Sequence, residues 1–317
     1  MTQDVSRAAP EPHTEPEPLP FPFNQRTFCR YEPVEKRIDR VRVLVIDDLL
    51  RDRRDISDVA RREWGRRIVT RLRTERRIAA LAIENILNNI GRLVKQPETR
   101  VAHLTEAAEA AAEFAPQAIV LSGTLSDFDF YRPEILEEFG RFIRATRTPV
   151  LGICGGHQLV GLSFGAPVVT LDNFAQHERR ERRLYEYQYR FIRILDPEDP
   201  IFAGINDTDS GVWQDYTTEG RILRVWQNHG LQVSEVPAGF KLLATSYLCR
   251  NQMMVRRDGG QLIYTVQFHL EKSFEDWYKN PTRWEHPNES RDGRIIFENF
   301  LREALKHVEA HRLKDEG

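Results

Sequence analysis

The sequence predicts an α/β protein with a mainly parallel, open sheet flanked by helices. Three observations carry that expectation. Short apolar runs of strand length alternate with helical spacing between residues 100 and 153. The runs end in small or polar residues, where a buried parallel strand hands over to a loop. A chain of 317 residues with 40% hydrophobic content suffices for one large core.

The first 23 residues or so stand apart from this pattern. Prolines at 10, 12, 16, 18, 20 and 22 are interleaved with Glu11, Glu15 and Glu17, a composition that cannot bury enough apolar surface to fold. Residues 1–38 are therefore expected to be a disordered tail, and 39–312 a single catalytic domain. The first strand is Val41-Arg42-Val43-Leu44-Val45-Ile46, closing on Asp47 and Asp48. With no histidine or further acidic cluster beside them, these two carboxylates are expected to cap a loop rather than hold a metal.

From Asp55 to about Gly91 helical spacing dominates, with Ile78, Leu81, Ile83, Ile86, Leu87 and Ile90 on one face and Gly91 as the terminating cap. Residues 51–77 form a basic helical insertion, with eleven arginines against five acids. A solvated, salt-bridged face is the simplest reading, and a docking surface for a partner the next. Nucleic acid is disfavoured, because no aromatic interleaving or binding module accompanies the charge.

The alternation then runs in the βαβ manner: strand Arg100 to Leu104, helix Ala107 to Phe114, strand Ala118-Ile119-Val120-Leu121 ending in Ser122-Gly123-Thr124, helix Pro133 to Arg147, and strand Pro149 to Ile153 leading into Cys154. Chemistry in such sheets sits beyond the carboxyl ends of the strands, where the loops at 122–131 and 152–158 would converge. The second half reads as shorter strands, at Phe191 to Leu195, Arg221 to Trp226, Phe240 to Ala244 and Leu262 to Gln267, followed by a helix from Ile295 to about Val308.

Bulk properties narrow the partners. A net charge of −2, from 46 basic and 48 acidic residues, gives no global pull toward nucleic acid or anionic lipid. The start lacks the apolar core of a signal peptide, and no stretch approaches the roughly 18 apolar residues of a membrane helix. Cys29, Cys154 and Cys249 are far apart without paired spacing, which fits a reducing, cytoplasmic setting better than a disulfide framework or a zinc site. No phosphate-binding G-x-x-x-x-G-K-[ST] pattern occurs, so P-loop ATP chemistry is not expected on this chain; no cofactor and no metal are expected.

The strongest local signal is Pro149-Val-Leu-Gly-Ile-Cys-Gly-Gly-His-Gln158, which sets a cysteine between a buried strand and a helix start. It is the cysteine counterpart of the G-x-S-x-G elbow. Gly152 and Gly156 clear space for a sharp turn, the thiol faces the positive end of a helix dipole, and the N–H of Gly155 points into the same space. Most free cysteines are buried and inert, and Cys29 and Cys249, without such a frame, are expected to be so. A thiol nucleophile needs a base. Tyr264-Thr-Val-Gln-Phe-His-Leu-Glu271 supplies His269 and, two residues on, Glu271, which strand periodicity would put on one face so that the carboxylate fixes the imidazole tautomer.

These two motifs, Gly152-x-Cys154-x-Gly156-x-Gln158 and Gln267-Phe268-His269-x-Glu271, resemble those of the class I glutamine amidotransferases, over roughly residues 41 to 308. Trp226-Gln-Asn-His-Gly230 and Val236-Pro-Ala-Gly-Phe240 are similar to the segment before the histidine in the amidotransferase portion of GMP synthetase. The resemblance implies a flavodoxin-like sheet and a Cys-His-Glu triad of Cys154, His269 and Glu271 that releases ammonia from glutamine. It further implies oxyanion donors from Gly123, Thr124 and Gly155, and a substrate pocket lined by Gln158, with His229 nearby in an open role.

Three departures stand out. Thr124 replaces the second glycine of the usual pair, Leu270 replaces a proline, and the segment Asp172 to Arg183 is unlike the expected glutamine-clamping stretch. The expected partners are glutamine or another γ-glutamyl amide and a synthetase or ligase subunit in trans. The alternatives are a γ-glutamyl hydrolase and a catalytically silent regulatory or binding subunit.

Overall fold

The computed structural model describes residues 35–205, 222–272 and 291–315. Most of the expected tail, and Cys29 with it, lies outside the described residues. The apolar run at the start extends into β1 (Ile38–Asp47), and the other parallel strands are β2 (Val94–His103), β3 (Ala118–Leu121), β4 (Val150–Ile153) and β11 (Ile263–Val266). They lie side by side in the order β2-β1-β3-β4-β11, every neighbouring pair parallel. Past β11 the sheet continues antiparallel through β10 (Met253–Arg256), β9 (Phe240–Thr245), β6 (Glu186–Ile194) and β7 (Ile222–His229). The nine-stranded sheet is therefore mixed, parallel in the half that carries the cysteine and antiparallel beyond β11. A separate pair, β5 (Val168–Thr170) with β8 (Leu231–Val233), lies outside it.

Alternation along the strands explains why both faces are covered. Val41, Val43 and Val45 enter one core with Tyr264, Val266, Phe297 and Phe300. Leu44, Ile46, Ile119 and Leu121 enter a second core with Trp64, Phe139 and Val160. Strands buried on both sides read as continuous apolar runs, which is why β1, β3 and β4 stand out in the sequence.

The helices are α1 (Asp58–Trp64), α2 (Ile68–Leu93), α3 (Ala107–Phe114), α4 (Pro133–Ala145), α5 (Gly155–Ser163) and α6 (Arg291–Asp315). The expected long helix over 55–91 is broken at Gly65, whose φ of +48° turns the chain between α1 and α2. Ser57 caps α1, accepting from the Ala60 N–H at 3.2 Å. Gly91 does not end α2. The helix runs on to Leu93, and Val94 takes extended geometry so that β2 follows without a loop. This is why β2 begins well before the expected Arg100. Pro97 is tolerated there because β2 is an edge strand. Among the described residues no helix is long and apolar enough to cross a membrane.

Candidate active site

The site grows out of two neighbouring strands. Cys154 follows β4 and adopts φ 51° and ψ −101°, a conformation that lifts its side chain out of the sheet before α5 begins. Its N–H donates to the Val266 carbonyl of β11 at 2.8 Å, and the Gly156 N–H to the Ser122 carbonyl beyond β3 at 2.9 Å, so three strand ends fix the bend. The glycines are needed for space. A Cβ on Gly156 would lie 2.7 Å from the Leu121 side chain, and one on Gly152 would lie 2.8 Å from the backbone of Gly156.

His269 and Glu271 come from the segment after β11. They are not on the strand itself, because β11 ends at Val266 and the chain bends there. A backbone bond from the His269 N–H to the Trp226 carbonyl, 2.8 Å, pins the bend to β7. Phe268 and Leu270 point into the core while His269 and Glu271 face the site, so the two-residue spacing works through buried neighbours rather than through strand pleat. Leu270 thus gives this bend a core side chain.

His269 Nδ1 lies 2.7 Å from Glu271 Oε1. A carboxylate only accepts, so Nδ1 holds a proton and donates, which turns Nε2 toward the thiol. The Cys154 sulfur lies close enough to the imidazole to act on its charge. Burial opposes a charge on His269, but the Glu271 carboxylate and the Cys154 sulfur outweigh it and raise its pKa well above the usual histidine range. Glu271 is itself held from α2, where Asn89 Nδ2 donates to its backbone carbonyl at 2.6 Å.

Gly123 forms the floor: a Cβ there would sit 3.5 Å from His269 Cε1 and 3.8 Å from Cys154 Cβ. Thr124 packs its backbone nitrogen and side chain against Gly155, leaving no room for a side chain on Gly155. Neither Gly123 nor Thr124 takes a positive φ, so this loop makes no demand that a branched residue cannot meet. The first N–H groups of α5, beginning with Gly155, have no intrahelical acceptor.

Cys154, His269, Glu271, Gly123, Thr124 and Gly155 are thus brought together. Gln158 is not: its Nε2 donates to the Leu231 carbonyl at 3.0 Å and to Gln267 Oε1 at 3.1 Å, beneath the thiol. His229 lies deeper, its Nε2 3.0 Å from Glu186 Oε2 and its Nδ1 2.9 Å from the Leu231 carbonyl. Glu186, His229 and buried Cys249 offer ligand atoms within 4.8 Å of one another, a metal-like grouping among the described residues. Both His229 nitrogens are occupied, and Cys249 Sγ donates to the Asn251 carbonyl at 3.4 Å, so the donor set is closed by internal hydrogen bonds.

A sequence profile for Glutamine amidotransferase class-I matches residues 82–285. The chain belongs to the class-I glutamine amidotransferase family. A glutamine-hydrolyzing GMP synthase subunit from Methanothermobacter thermautotrophicus is 30% identical over 190 residues, 58% of this chain and 73% of that protein. Its counterpart from Thermococcus kodakarensis is 39% identical over 137 residues, 43% of this chain and 56% of that one. A crystal structure from Thermoplasma acidophilum, provisionally described as a GMP synthase subunit, superposes with a TM-score of 0.53 at 22% identity, over 86% of this chain and 98% of its own. That likeness supports the class-I amidotransferase fold.

Within this family setting the departure at 172–183 has a structural content. The segment folds back on the loop after β3, where Arg183 pairs with both oxygens of Asp127 at 2.6 and 2.7 Å. Arg180 joins Asp127 at 2.6 Å and also reaches Asp129 and Glu63. Arg183 also lies over Gly230, where a Cβ would come within 2.6 Å of its Cδ. Sequence reasoning gave no task to Gln267, Gln252 or Glu186. Neutral amides carry no charge pattern, and Glu186 meets His229 only through the β6–β7 register.

Proposed function

We propose that this chain hydrolyses glutamine through a thioester on Cys154 and passes the ammonia to a separate synthetase. The observation that carries the reading is the arrangement in which His269, hydrogen-bonded to Glu271, and Cys154 lie together over Gly123. In it the raised imidazole holds a proton beside the sulfur. The thiolate attacks the side-chain amide carbon, forming a C–S bond, and the oxyanion is met by N–H groups of Gly155 and the Gly123–Thr124 loop. Collapse breaks the C–N bond as His269 gives its proton to the departing ammonia. A water then loses a proton to His269 and attacks the thioester, the C–S bond breaks, and glutamate leaves. The relatives named as subunits of GMP synthase support a partner of that kind supplied in trans, and a thiol nucleophile suits a reducing cytoplasm.

Ammonia release from glutamine, with Cys154→Ala as control, tests this. Turnover should fall ~10⁴-fold or more in the variant. Undiminished turnover there would overturn the assignment. The arginine-tied segment over Gly230 favours one second reading, a γ-glutamyl hydrolase with another amide as substrate. Faster hydrolysis of γ-glutamyl amines or peptides than of glutamine would select it.

A further inference from the structure

Behind the thiol lies a ring of buried hydrogen bonds whose directions can be read from its fixed ends. The Leu231 carbonyl can only accept, so Gln158 must turn its Nε2 toward it, at 3.0 Å. The same Nε2 reaches Gln267 Oε1 at 3.1 Å, which commits the carbonyl end of the Gln267 amide to Gln158. The amino end of Gln267 is left facing Cys154 Sγ, at an Nε2···Sγ distance of 3.7 Å. The backbone N–H of Gln267 donates to the backbone carbonyl of Gln252 at 2.9 Å, which fixes the chain from which the amide projects. Gln252 is itself oriented, its Nε2 donating to Glu186 Oε2 at 2.8 Å and its Oε1 accepting from Gln227 at 2.9 Å. Glu186 holds His229, and His229 returns to the Leu231 carbonyl, closing the ring. Gln158 and Gln267 are both buried, so turning the Gln267 amide over would set its Nε2 against Gln158 Nε2, donor facing donor.

We propose that Gln267 is a further catalytic residue of this site, a fixed N–H donor to the sulfur of Cys154, with Gln158, itself held by the Leu231 carbonyl, as the positioning residue that prevents its amide from turning over. The inference rests on the reading of Cys154 as nucleophile. A hydrogen bond to a charged acceptor is about twice as strong as one to a neutral acceptor. The Gln267 donor therefore favours the thiolate over both the thiol and the neutral thioester. It helps wherever sulfur is anionic, before attack on the amide and again when sulfur leaves the acyl carbon.

The titratable neighbours of the sulfur are His269, backed by Glu271; His157 of α5, on the helix that starts beside it; Cys249, after β9; and the Glu186–His229 pair at the far side of the ring.

The test is the pH dependence of Cys154 alkylation by iodoacetamide, in the full chain, for wild type, Gln267→Leu and Gln267→Glu, with Cys154→Ala as the blank. Gln267→Glu keeps the shape and an acceptor for Gln158 but presents oxygen to the sulfur. Thermal melting establishes which variants fold. The expected result is an upward shift of the alkylation midpoint by about one pH unit, larger for Gln267→Glu than for Gln267→Leu. Where glutamine is turned over, kcat should fall by about tenfold or more with KM changed less than about twofold. A midpoint coincident with wild type in either folded variant overturns the proposal. If wild type alkylates but releases no ammonia from glutamine, the glutaminase reading fails while the alkylation midpoints still decide the role of Gln267.

Discussion

At Cys154 the positive φ costs a side-chain-bearing residue of order 1–3 kcal/mol, and the surrounding bonds to Val266 and Ser122 hold it there. The division of labour between His269 and Glu271 then sets unequal consequences for substitution. Cys154→Ala removes the bond-forming atom and should leave the fold intact, because the bend is held by backbone groups. Glu271→Gln keeps a side chain of the same shape but can turn an N–H toward Nδ1, which favours the wrong imidazole tautomer. We expect turnover to fall roughly 10²-fold in that variant, less than in Cys154→Ala, with a melting temperature near wild type. Steady-state ammonia release and thermal melts check both, and a Glu271→Gln variant as inactive as Cys154→Ala would contradict this ordering. The triad was legible in the sequence because its residue types are rare in such frames. Gln267 sits in the same motif without declaring a task, since the proposed role depends on the direction of an amide set by Gln158, which the Leu231 carbonyl orients in turn.

Between elements, α2 also meets the loop after β3. Ser126 of that loop donates to Glu75 of α2, whose carboxyl is pushed up to about 7 by burial, against the opposing effects of the Ser126 bond, the Leu50 N–H and Arg76. Below about 4.5 both folded and unfolded states hold the proton. Between about 4.5 and about 7 the unfolded chain releases it while the folded chain keeps it, so stability falls as pH rises; above about 7 the loss is complete. The displacement corresponds to about 3 kcal/mol. Glu75→Gln, which keeps the shape without the charge, should therefore be more stable than wild type at pH 8, with the advantage vanishing near pH 4.5. Urea unfolding at the two pH values measures it, and an advantage independent of pH would refute the account. The regular elements of the parallel half were legible because burial on both faces writes continuous apolar runs. The end of α2 was not, since Gly91 needs no left-handed geometry and Val94 extends directly into β2. Nor was β10, four residues set by pairing with β9 and β11 rather than by its own pattern.

For the whole molecule, the joint between the two halves of the sheet is β11, parallel to β4 on one side and antiparallel to β10 on the other. One core face runs across that joint, from Val43 and Val45 through Val266 and Met253 to Ile192 and Leu223, with Phe297 and Phe300 of α6 packed on it. Neither half can loosen without exposing the other. We expect residues 39–312 to unfold as one unit, with far-ultraviolet and near-ultraviolet circular dichroism tracing coincident transitions in urea. Two separated transitions would divide the chain into domains at β11. The same joint has a practical consequence. Thiol and imidazole are adjacent because β4 and β11 are paired in the sheet, although residues 154–262 separate the end of one strand from the start of the other. Cutting the chain in the exposed turn at Asp258–Gly259, and joining it elsewhere, would reorder the gene without parting the reactive pair.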